Sequence, residues 1–354
     1  MKISRRQFVQ VLAVAGASAL LTACGGSSNN SAAGSTAASG AAAAAGGSFN
    51  LKLGHNLAED HAVHIQLTSF AEQVKEKTNG TVNIQIIPNG TLGSESDMIS
   101  QIQAGALDMA KVSASTLGNF SEKYNAFSVP YVFDDQAHYY TYMDSDSAQA
   151  VFESTDDQGF RGLTWLDSGA RSFYTKATAI RTPADLKGLK IRVQDMKSQT
   201  DMMNYLGGIP VAMSYGDVYT SLQTGIIDGT ENNETALTTG KHGEVCKVYS
   251  VDQHAMIPDV LIMSEKVWKQ ISPEDQQIIL EAAHNSTEAH KVMWDTAIDE
   301  AVKEAQETMG VEFVYDVDKE AFREATQPMI EAYENEYPGV KTLMDTIEAA
   351  REGE

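Results

Sequence analysis

The alternation of apolar and polar positions predicts strands and helices in regular succession after residue 48. Three segments alternate with a period of two, which is typical of strands; they are residues 50–55, residues 82–86 and a stretch that ends at Ser113. Two segments between them have helical spacing and are followed by a glycine that marks a helix end; they are residues 61–78 and 94–104. This order of strand, helix, strand, helix and strand is typical of a parallel α/β sheet.

Helix-start signals organise the second half of the chain. Residues 182–185, 214–217 and 272–275 each combine a Ser or Thr with an Asp three positions later, which predicts a capping box. From the last of these, the chain continues to Met309 without an internal glycine and with proline only at the start. We expect one long helix there, either continuous or broken once near residues 284–286, followed by a strand at 311–314 and two further helices.

The two halves of the chain share a short motif. Residues 102–108 and residues 222–228 both read [Ile/Leu]-Gln-x-Gly-x-[Ile/Leu]-Asp, in each case after a predicted helix and before a predicted strand. In open α/β sheets, ligands bind beyond the carboxyl ends of the strands. The repeat therefore predicts two similarly built lobes that face each other across a cleft.

The N-terminal segment predicts export. It has a basic start, an uncharged run from Val11 to Ala23 and small residues around Cys24. The uncharged run is shorter than the roughly 20 residues that a membrane-spanning helix needs. Leu21-Thr22-Ala23-Cys24 resembles the lipobox of bacterial lipoproteins, and residues 4–8 resemble a twin-arginine signal. We expect a signal peptide at 1–23, lipidation of Cys24 and a flexible linker up to residue 48. An ordinary secretory signal with a chance cysteine stays open.

The net charge and the cysteine content of the chain limit the partners and the covalent bonds that we expect for this protein. Removal of Lys2, Arg5 and Arg6 with the signal takes the net charge from −22 to −25. Such a chain repels nucleic acid and anionic lipid surfaces, so we expect neither as a partner beyond the lipid anchor itself. Cys246 remains without a second cysteine for an intramolecular disulfide, and we expect it to be buried and unreactive.

Several motifs together resemble the solute-binding proteins of tripartite ATP-independent periplasmic (TRAP) transporters. The motifs are Leu51-Lys52-Leu53-Gly54-His55, Pro88-Asn89-Gly90-Thr91-Leu92-Gly93-Ser94-Glu95, Leu107-Asp108-Met109, Asp185-Leu186-Lys187-Gly188-Leu189-Lys190-Ile191-Arg192-Val193, Val218-Tyr219-Thr220-Ser221-Leu222-Gln223-Thr224-Gly225-Ile226-Ile227-Asp228-Gly229, Glu231-Asn232 and Ser272-Pro273-Glu274-Asp275-Gln276. The resemblance implies an α/β, two-lobed periplasmic-binding-protein-like fold with mixed sheets flanked by helices and a long helix that spans both lobes. It places lobe I at residues 49–168 plus 258–297 and lobe II at 169–257 plus 298–354. It implies no cofactor and no metal, an organic acid as ligand, and integral membrane subunits of the transporter as partners.

Arg192 is the first candidate for binding the acid. Leu189, Ile191 and Val193 occupy one face of a strand, so Arg192 and Gln194 occupy the other. A guanidinium can bind a carboxylate through two parallel hydrogen bonds, which lysine cannot reproduce. The resemblance implies this role for Arg192, and a structural salt bridge is the alternative.

The resemblance implies further contacts in the same cleft. Arg171 matches the second cleft arginine of the family, although a structural pair with an acid stays open for it. Tyr215 matches an aromatic position that packs on the ligand, with a core aromatic as the alternative. The remaining matches are Asn232, Asn233 (where many members have Pro), Glu95 and Ser113 (where some have an acid). His55, Lys111 and Asp167 stand at predicted strand ends, where binding and a core or solvated position are equally open.

The mixture of neutral and charged polar groups around two arginines favours a polyhydroxylated acid. A plain dicarboxylate would leave several buried polar groups unpaired, at about 1–3 kcal/mol each. Residues 167–174, 231–233 and 257–261 resemble members that bind sugar acids, so the sequence predicts a hexuronate such as glucuronate or galacturonate. A dicarboxylate or another organic acid remains the alternative within the family.

Two other protein classes remain as alternatives. A secreted sugar-acid lyase or isomerase would need a base, an acid and often a metal, whereas the eight histidines are scattered and no nucleophile, phosphate-loop or zinc motif is present. The sequence therefore predicts a binding protein rather than an enzyme. A binding protein of an ATP-driven importer or of a sensory receptor would share the cleft but meet a different membrane partner.

Overall fold

The computed structural model describes residues 48–352 of the chain. The predicted signal peptide, the predicted lipidation site Cys24 and the predicted linker up to residue 47 lie outside these residues. Within them, no helix has both the length and the hydropathy that crossing a bilayer requires.

Eleven strands and twelve α-helices form within the described residues. The strands are β1 (Phe49–Gly54), β2 (Val82–Ile87), β3 (Met109–Ser113), β4 (Phe160–Leu166), β5 (Ala170–Thr175), β6 (Lys190–Val193), β7 (Ile209–Ala212), β8 (Gly229–Asn232), β9 (Val248–Met256), β10 (Asp259–Ser264) and β11 (Glu312–Val314). The helices are α1 (Ala62–Lys77), α2 (Glu95–Ala104), α3 (Ala114–Leu117), α4 (Gln136–Met143), α5 (Asp146–Glu153), α6 (Lys197–Tyr205), α7 (Val218–Thr224), α8 (Thr235–Thr238), α9 (Glu265–Trp268), α10 (Pro273–Glu307), α11 (Lys319–Glu336) and α12 (Pro338–Ala349). The strands and helices that were predicted with bounds are present within a few residues of those bounds. The helix start predicted at residue 182 gives only the 3₁₀ turn Pro183–Leu186.

The strands form two mixed sheets, as the family resemblance implies. The first sheet has the order β2-β1-β3-β10-β4, and the second has the order β11-β9-β5-β8-β6-β7. In the first sheet β1 is parallel to β2 and β3, but β10 is antiparallel to both of its neighbours. The three strands predicted from local spacing are therefore parallel in the sheet. The sheet is mixed because β10 returns from the second half of the chain.

The chain passes between the sheets in two short crossing segments, residues 167–169 and 257–258. The first joins β4 to β5, and the second joins β9 to β10. A few residues between regular elements can absorb the backbone rotations of a hinge. We therefore expect the cleft between the sheets to open and close about these segments.

Helix α10 is continuous over 35 residues, so the break considered near residue 285 is absent. The Ser272 hydroxyl accepts a hydrogen bond from the Asp275 amide and caps its start. Ile279, Ala282 and Ala283 pack in the core of the first sheet, whereas Ala305 packs in the core of the second. The helix thus connects both cores, as the sequence predicts.

The lobe bounds remain a prediction. The strands of the first sheet lie in the predicted lobe I, and those of the second sheet lie in the predicted lobe II. Helix α12 is an exception. It packs on residues 122–128 and the adjoining α4, and His138 Nε2 lies 2.8 Å from the Ile347 carbonyl oxygen. These are elements of the predicted lobe I, whereas the prediction assigns residues 298–354 to lobe II.

The repeated motif has the same local geometry in both sheets. Gly105 and Gly225 end their helices at φ of 74° and 78°. This left-handed conformation favours glycine. The carboxylate of Asp108 accepts from the Lys52 amide at 2.8 Å, and that of Asp228 accepts from the Lys190 amide at 2.9 Å. The motif therefore joins a helix end to the neighbouring parallel strand twice.

The predicted capping boxes have different outcomes. Thr182 and Asp185 form a reciprocal box. Ser214 makes no side-chain capping bond, because residues 215–217 form a 3₁₀ turn ahead of α7. That turn directs Tyr215 toward the cleft.

Candidate functional site

A cavity of about 420 Å³ lies between the two sheets, and we call it the main cavity. Its lining includes the carboxyl ends of β3, β6 and β8, which is where open α/β sheets bind ligands. The volume is in the range of small-molecule sites. Eight of the ten predicted binding residues line it: Arg192, Arg171, Asn232, Tyr215, Asn233, Glu95, Ser113 and Lys111.

Hydrogen bonds cross the cleft in this structure. Gln194 Nε2 donates to Ser113 Oγ at 3.1 Å, and Asn119 Nδ2 donates to the Asp195 carbonyl at 3.0 Å. His61, which also lines the cavity, places Nε2 at 3.1 Å from Thr235 Oγ1. These contacts join residues near the first sheet to residues near the second, so the structure is a closed arrangement.

Arg192 lies on β6 and is 3% exposed. Its Nε and Nη2 donate to the Met213 carbonyl at 3.0 and 2.8 Å, which fixes one edge of the guanidinium. No described carboxylate forms an ion pair with it. Burial lowers the pKa of Arg192, and Glu231 opposes this shift while Arg171 adds to it. The edge formed by Nη1 and Nη2 remains available to an anion in the cavity.

Arg171 differs because an acid already occupies its guanidinium. Its Nε and Nη2 donate to the two carboxylate oxygens of Glu231 at 2.5 and 2.9 Å, and its Nη1 donates to Asn232 Oδ1 at 2.9 Å. Both partners of the ion pair are buried. Arg171 thus forms the structural pair with an acid that the sequence left open as its alternative, and one Nη1 hydrogen is left for the cavity. Its contact with the ligand stays a prediction.

The Arg171–Glu231 pair extends into a buried network behind the main cavity. His254 Nδ1 lies 2.7 Å from Asp252 Oδ2, and its Nε2 lies 3.5 Å from Glu231 Oε2. Burial would raise the pKa of Glu231, but Arg171 and His254 lower it to about 2. Burial would lower the pKa of His254, but Asp252 and Glu231 raise it to about 9. The network therefore sets two basic side chains, Arg171 and His254, against the acidic side chains of Glu231 and Asp252.

Lys111 lies on the opposite wall and is also neutralised. Its Nζ lies 3.1 Å from Asp259 Oδ2 and 3.4 Å from Glu95 Oε1. The other oxygen of Glu95 accepts from the Ser113 amide at 3.1 Å and from Thr116 Oγ1 at 2.7 Å. Burial would lower the pKa of Lys111, but Asp259 and Glu95 raise it. This wall therefore presents carboxylate and ammonium groups, which can form hydrogen bonds with the hydroxyl groups of a ligand.

Asn232, Asn233 and Tyr215 complete the second-sheet side. No described residue accepts from Asn232 Nδ2, so this donor is free for a ligand. Asn233 instead donates to the Ser168 carbonyl at 2.7 Å and accepts from Thr235 Oγ1 at 2.6 Å. The Asn233 side-chain amide thus connects the end of β8 to the first crossing segment. Tyr215 is half-buried, and burial raises its pKa.

His55 and Asp167 do not line the main cavity, and both are buried, which is one of the two positions that the sequence left open for them. His55 is buried, with Nε2 at 2.9 Å from His64 Nδ1 and with Nδ1 accepting from the Leu57 amide. Asp167 accepts from the Tyr140 hydroxyl at 2.6 Å and the Gly169 amide at 2.8 Å. Both residues stand at strand ends as expected, but their side chains face other partners.

Gln194, Asp259 and His61 also line the main cavity, although none of them is among the ten predicted binding residues. Gln194 continues the alternation that places Arg192 on the cleft face, so its position was available from local spacing. Asp259 and His61 gave no such signal. Asp259 begins β10 after the second crossing segment, and His61 caps α1 through Nδ1, which accepts from the Val63 amide.

Comparisons with known proteins agree with this fold. The model of the DctP family, described as bacterial extracellular solute-binding protein, family 7, matches residues 53–336. The uncharacterized protein YiiZ of Salmonella typhimurium is 42% identical over 80% of this chain and 86% of its own length.

Two solved structures are similar as well. A TRAP periplasmic solute-binding protein from Anaerococcus prevotii, with bound α/β-D-glucuronate, is 39% identical, with a TM-score of 0.83 over 86% of this chain and 98% of that chain. Another from Sulfitobacter, with bound β-D-galacturonate, is 33% identical, with a TM-score of 0.82 over 84% of this chain and 99% of that chain. The chain therefore belongs to the DctP family of bacterial extracellular solute-binding proteins, the solute-binding components of TRAP transporters.

Proposed function

We propose that the main cavity binds a hexuronate, D-glucuronate or D-galacturonate, and that the loaded protein delivers it to the integral membrane subunits of a TRAP transporter. The observation that carries the proposal is the burial of the Arg192 guanidinium without a described acidic partner. Arg192 is buried in the cavity wall and has no ion-pair partner among the described residues. A buried charge needs a partner, so a ligand carboxylate supplies the missing one.

The charges of the cavity favour one carboxylate over two. Arg171 is balanced by Glu231, and Lys111 faces both Glu95 and Asp259. Arg192 is thus the single uncompensated cation of this set, and the second carboxylate of a dicarboxylate would meet an acidic wall. The same wall can accept hydrogen bonds from sugar hydroxyls. A polyhydroxylated monocarboxylate matches both features.

The two solved relatives support this choice, since they contain D-glucuronate and D-galacturonate. Family membership supports delivery to membrane subunits. We expect closure about the crossing segments to trap the solute, because contacts made only in the closed arrangement shift the population toward it.

Calorimetric titration is expected to rank the ligands. D-glucuronate or D-galacturonate should bind in a 1:1 ratio and at least about tenfold more tightly than succinate, since the second carboxylate faces Glu95 and Asp259. The neutral sugar D-glucose, which lacks the carboxylate, is the matched control and should not bind. Tight succinate binding without uronate binding contradicts the proposal, and chemical turnover of the recovered uronate contradicts a purely binding role.

We also propose that the protein is anchored to the outer side of the cell membrane through lipidated Cys24. The motif Leu21-Thr22-Ala23-Cys24 and the uncharged small-residue segment after it support this. The expressed protein should partition into the detergent phase of a Triton X-114 extraction, because each buried methylene of a lipid chain contributes about 0.8 kcal/mol. The Cys24→Ser variant should move to the aqueous phase, and equal partition of both forms would exclude the anchor.

A further inference from the structure

A second cavity, of about 440 Å³, lies behind the hinge, and we call it the rear cavity. It includes Asp167 and Gly169 of the first crossing segment and Met256, which precedes the second. Helix α10 forms another wall. The rear cavity is back to back with the main cavity: Ser168 and Asn233 line the main cavity, whereas Asp167, Gly169 and Glu234 line the rear one.

The lining of the rear cavity is acidic and aromatic. Six carboxyl groups contribute to it: Asp134, Asp135, Asp167, Glu234, Asp295 and Asp299. Its aromatic walls are Phe133, Tyr139 and Trp294, with Tyr131 beside them. Aromatic faces and carboxylates together attract organic cations, because the negative face of a ring adds to the attraction of the anion.

The two basic residues of this lining do not neutralise the acids. The Arg323 guanidinium lies over the Tyr131 ring, 4.5 Å from its centre, and Lys319 Nζ donates to Gln253 Oε1 at 2.6 Å. Neither forms an ion pair with a carboxylate of the described residues. Among the acids, only Asp134 has such a pair, with Arg351 at 2.8 Å. The rear cavity therefore keeps a net negative charge.

Glu234 is the observation that points to a ligand. Its residue is 9% exposed, it borders the rear cavity, and no cation of the described residues pairs with it. Burial raises the pKa of Glu234 to about 7, although a hydrogen bond from its own amide partly stabilises the anion. A buried carboxylate is costly to ionise without a counter-ion. An ammonium ion in the cavity would supply that counter-ion.

We propose that the rear cavity is a second binding site, for a small organic ammonium ion, and that its occupation strengthens solute binding. The cavity in this form belongs to the closed arrangement, because cross-cleft hydrogen bonds are present in the same structure. A ligand that binds one arrangement preferentially shifts the population toward it. The coupling is reciprocal, so the cation and the solute each raise the affinity of the other.

The test uses choline and ethanolamine as probes and 3,3-dimethylbutan-1-ol as the uncharged isostere of choline. Calorimetry on the solute-free protein is expected to show saturable 1:1 binding of at least one probe and none of the isostere. With that probe saturating, and with sodium chloride as the ionic-strength control, affinity for D-glucuronate should increase about fivefold or more. Weaker or unchanged glucuronate affinity would overturn the coupling.

Glu234→Gln keeps the size of the side chain and removes its charge. This variant should lose about tenfold or more in affinity for the probe, because the charged partner is gone. Its affinity for D-glucuronate without the probe should stay unchanged. Glu331→Gln, an equal charge change at an exposed position of α11, is the matched control and should retain probe binding.

Two results would overturn the second site: neither ammonium probe binds more tightly than the isostere, or Glu234→Gln retains full probe affinity. Either result would leave the rear cavity as a solvent-filled space behind the hinge. The proposed hexuronate function is judged separately, because D-glucuronate titration of the protein alone does not involve the rear cavity.

Discussion

Replacement of Arg192 by alanine is expected to lower the affinity for D-glucuronate by a factor of about 10² to 10⁴ and to leave thermal stability unchanged or slightly higher. Two charge-assisted hydrogen bonds to the ligand carboxylate contribute about 1.5–3 kcal/mol each, and their combined loss corresponds to that factor. Stability persists because no acid among residues 48–352 pairs with the buried guanidinium, so its removal leaves none of their carboxylates unpaired.

Calorimetry and a thermal melt of the ligand-free protein measure the two effects. Arg192→Lys is the matched variant, since it keeps the charge but loses the two-pronged geometry. It should bind D-glucuronate more tightly than the alanine variant and more weakly than the parent. An affinity within a few-fold of the parent for Arg192→Ala would place the solute elsewhere in the protein.

Replacement of Arg171 by methionine is expected to act mainly on folding, with a loss of about 3–5 kcal/mol in the free energy of unfolding. The reason is the buried Glu231, which would lose its bidentate partner and keep only His254, 3.5 Å away and shared with Asp252, to balance its charge. Urea denaturation of the ligand-free protein measures this loss. Both arginines line the same cavity. We nevertheless expect the Arg192 variant to lose mainly ligand affinity and the Arg171 variant to lose mainly stability.

The double variant Arg171→Met with Glu231→Leu tests whether the unpaired Glu231 carboxylate causes the loss of stability. Removal of both charges avoids the unpaired anion, so much of the lost stability should return. His254 still has Asp252 as a partner in that variant. If Arg171→Met instead keeps the stability of the parent and loses uronate binding, then Arg171 is a ligand-binding cation, as the sequence predicts.

Local sequence patterns were sufficient to predict those structural features that depend only on residues close together in the chain. The alternation around Ile191 placed Arg192 and Gln194 on the cleft face of β6, since the period of a strand is a local property. Glycines and capping residues located the helices, including the 35 residues of α10. The motifs that resemble the TRAP solute-binding proteins indicated the family, which the comparisons confirm.

Only the tertiary structure decided the charge state of the site. Glu231 stands 60 residues after Arg171 in the sequence, and Asp259 stands 148 residues after Lys111, so neither pair is visible in local spacing. His55 and Asp167 show the same limit, since both stand at strand ends but face other partners. The rear cavity likewise exists only where crossing segments and helices meet. Sequence thus determined the elements and, for Arg192, the strand face that it occupies. Long-range packing decided which charges cancel and left Arg192 without an acidic partner in the part of the chain that the structure describes.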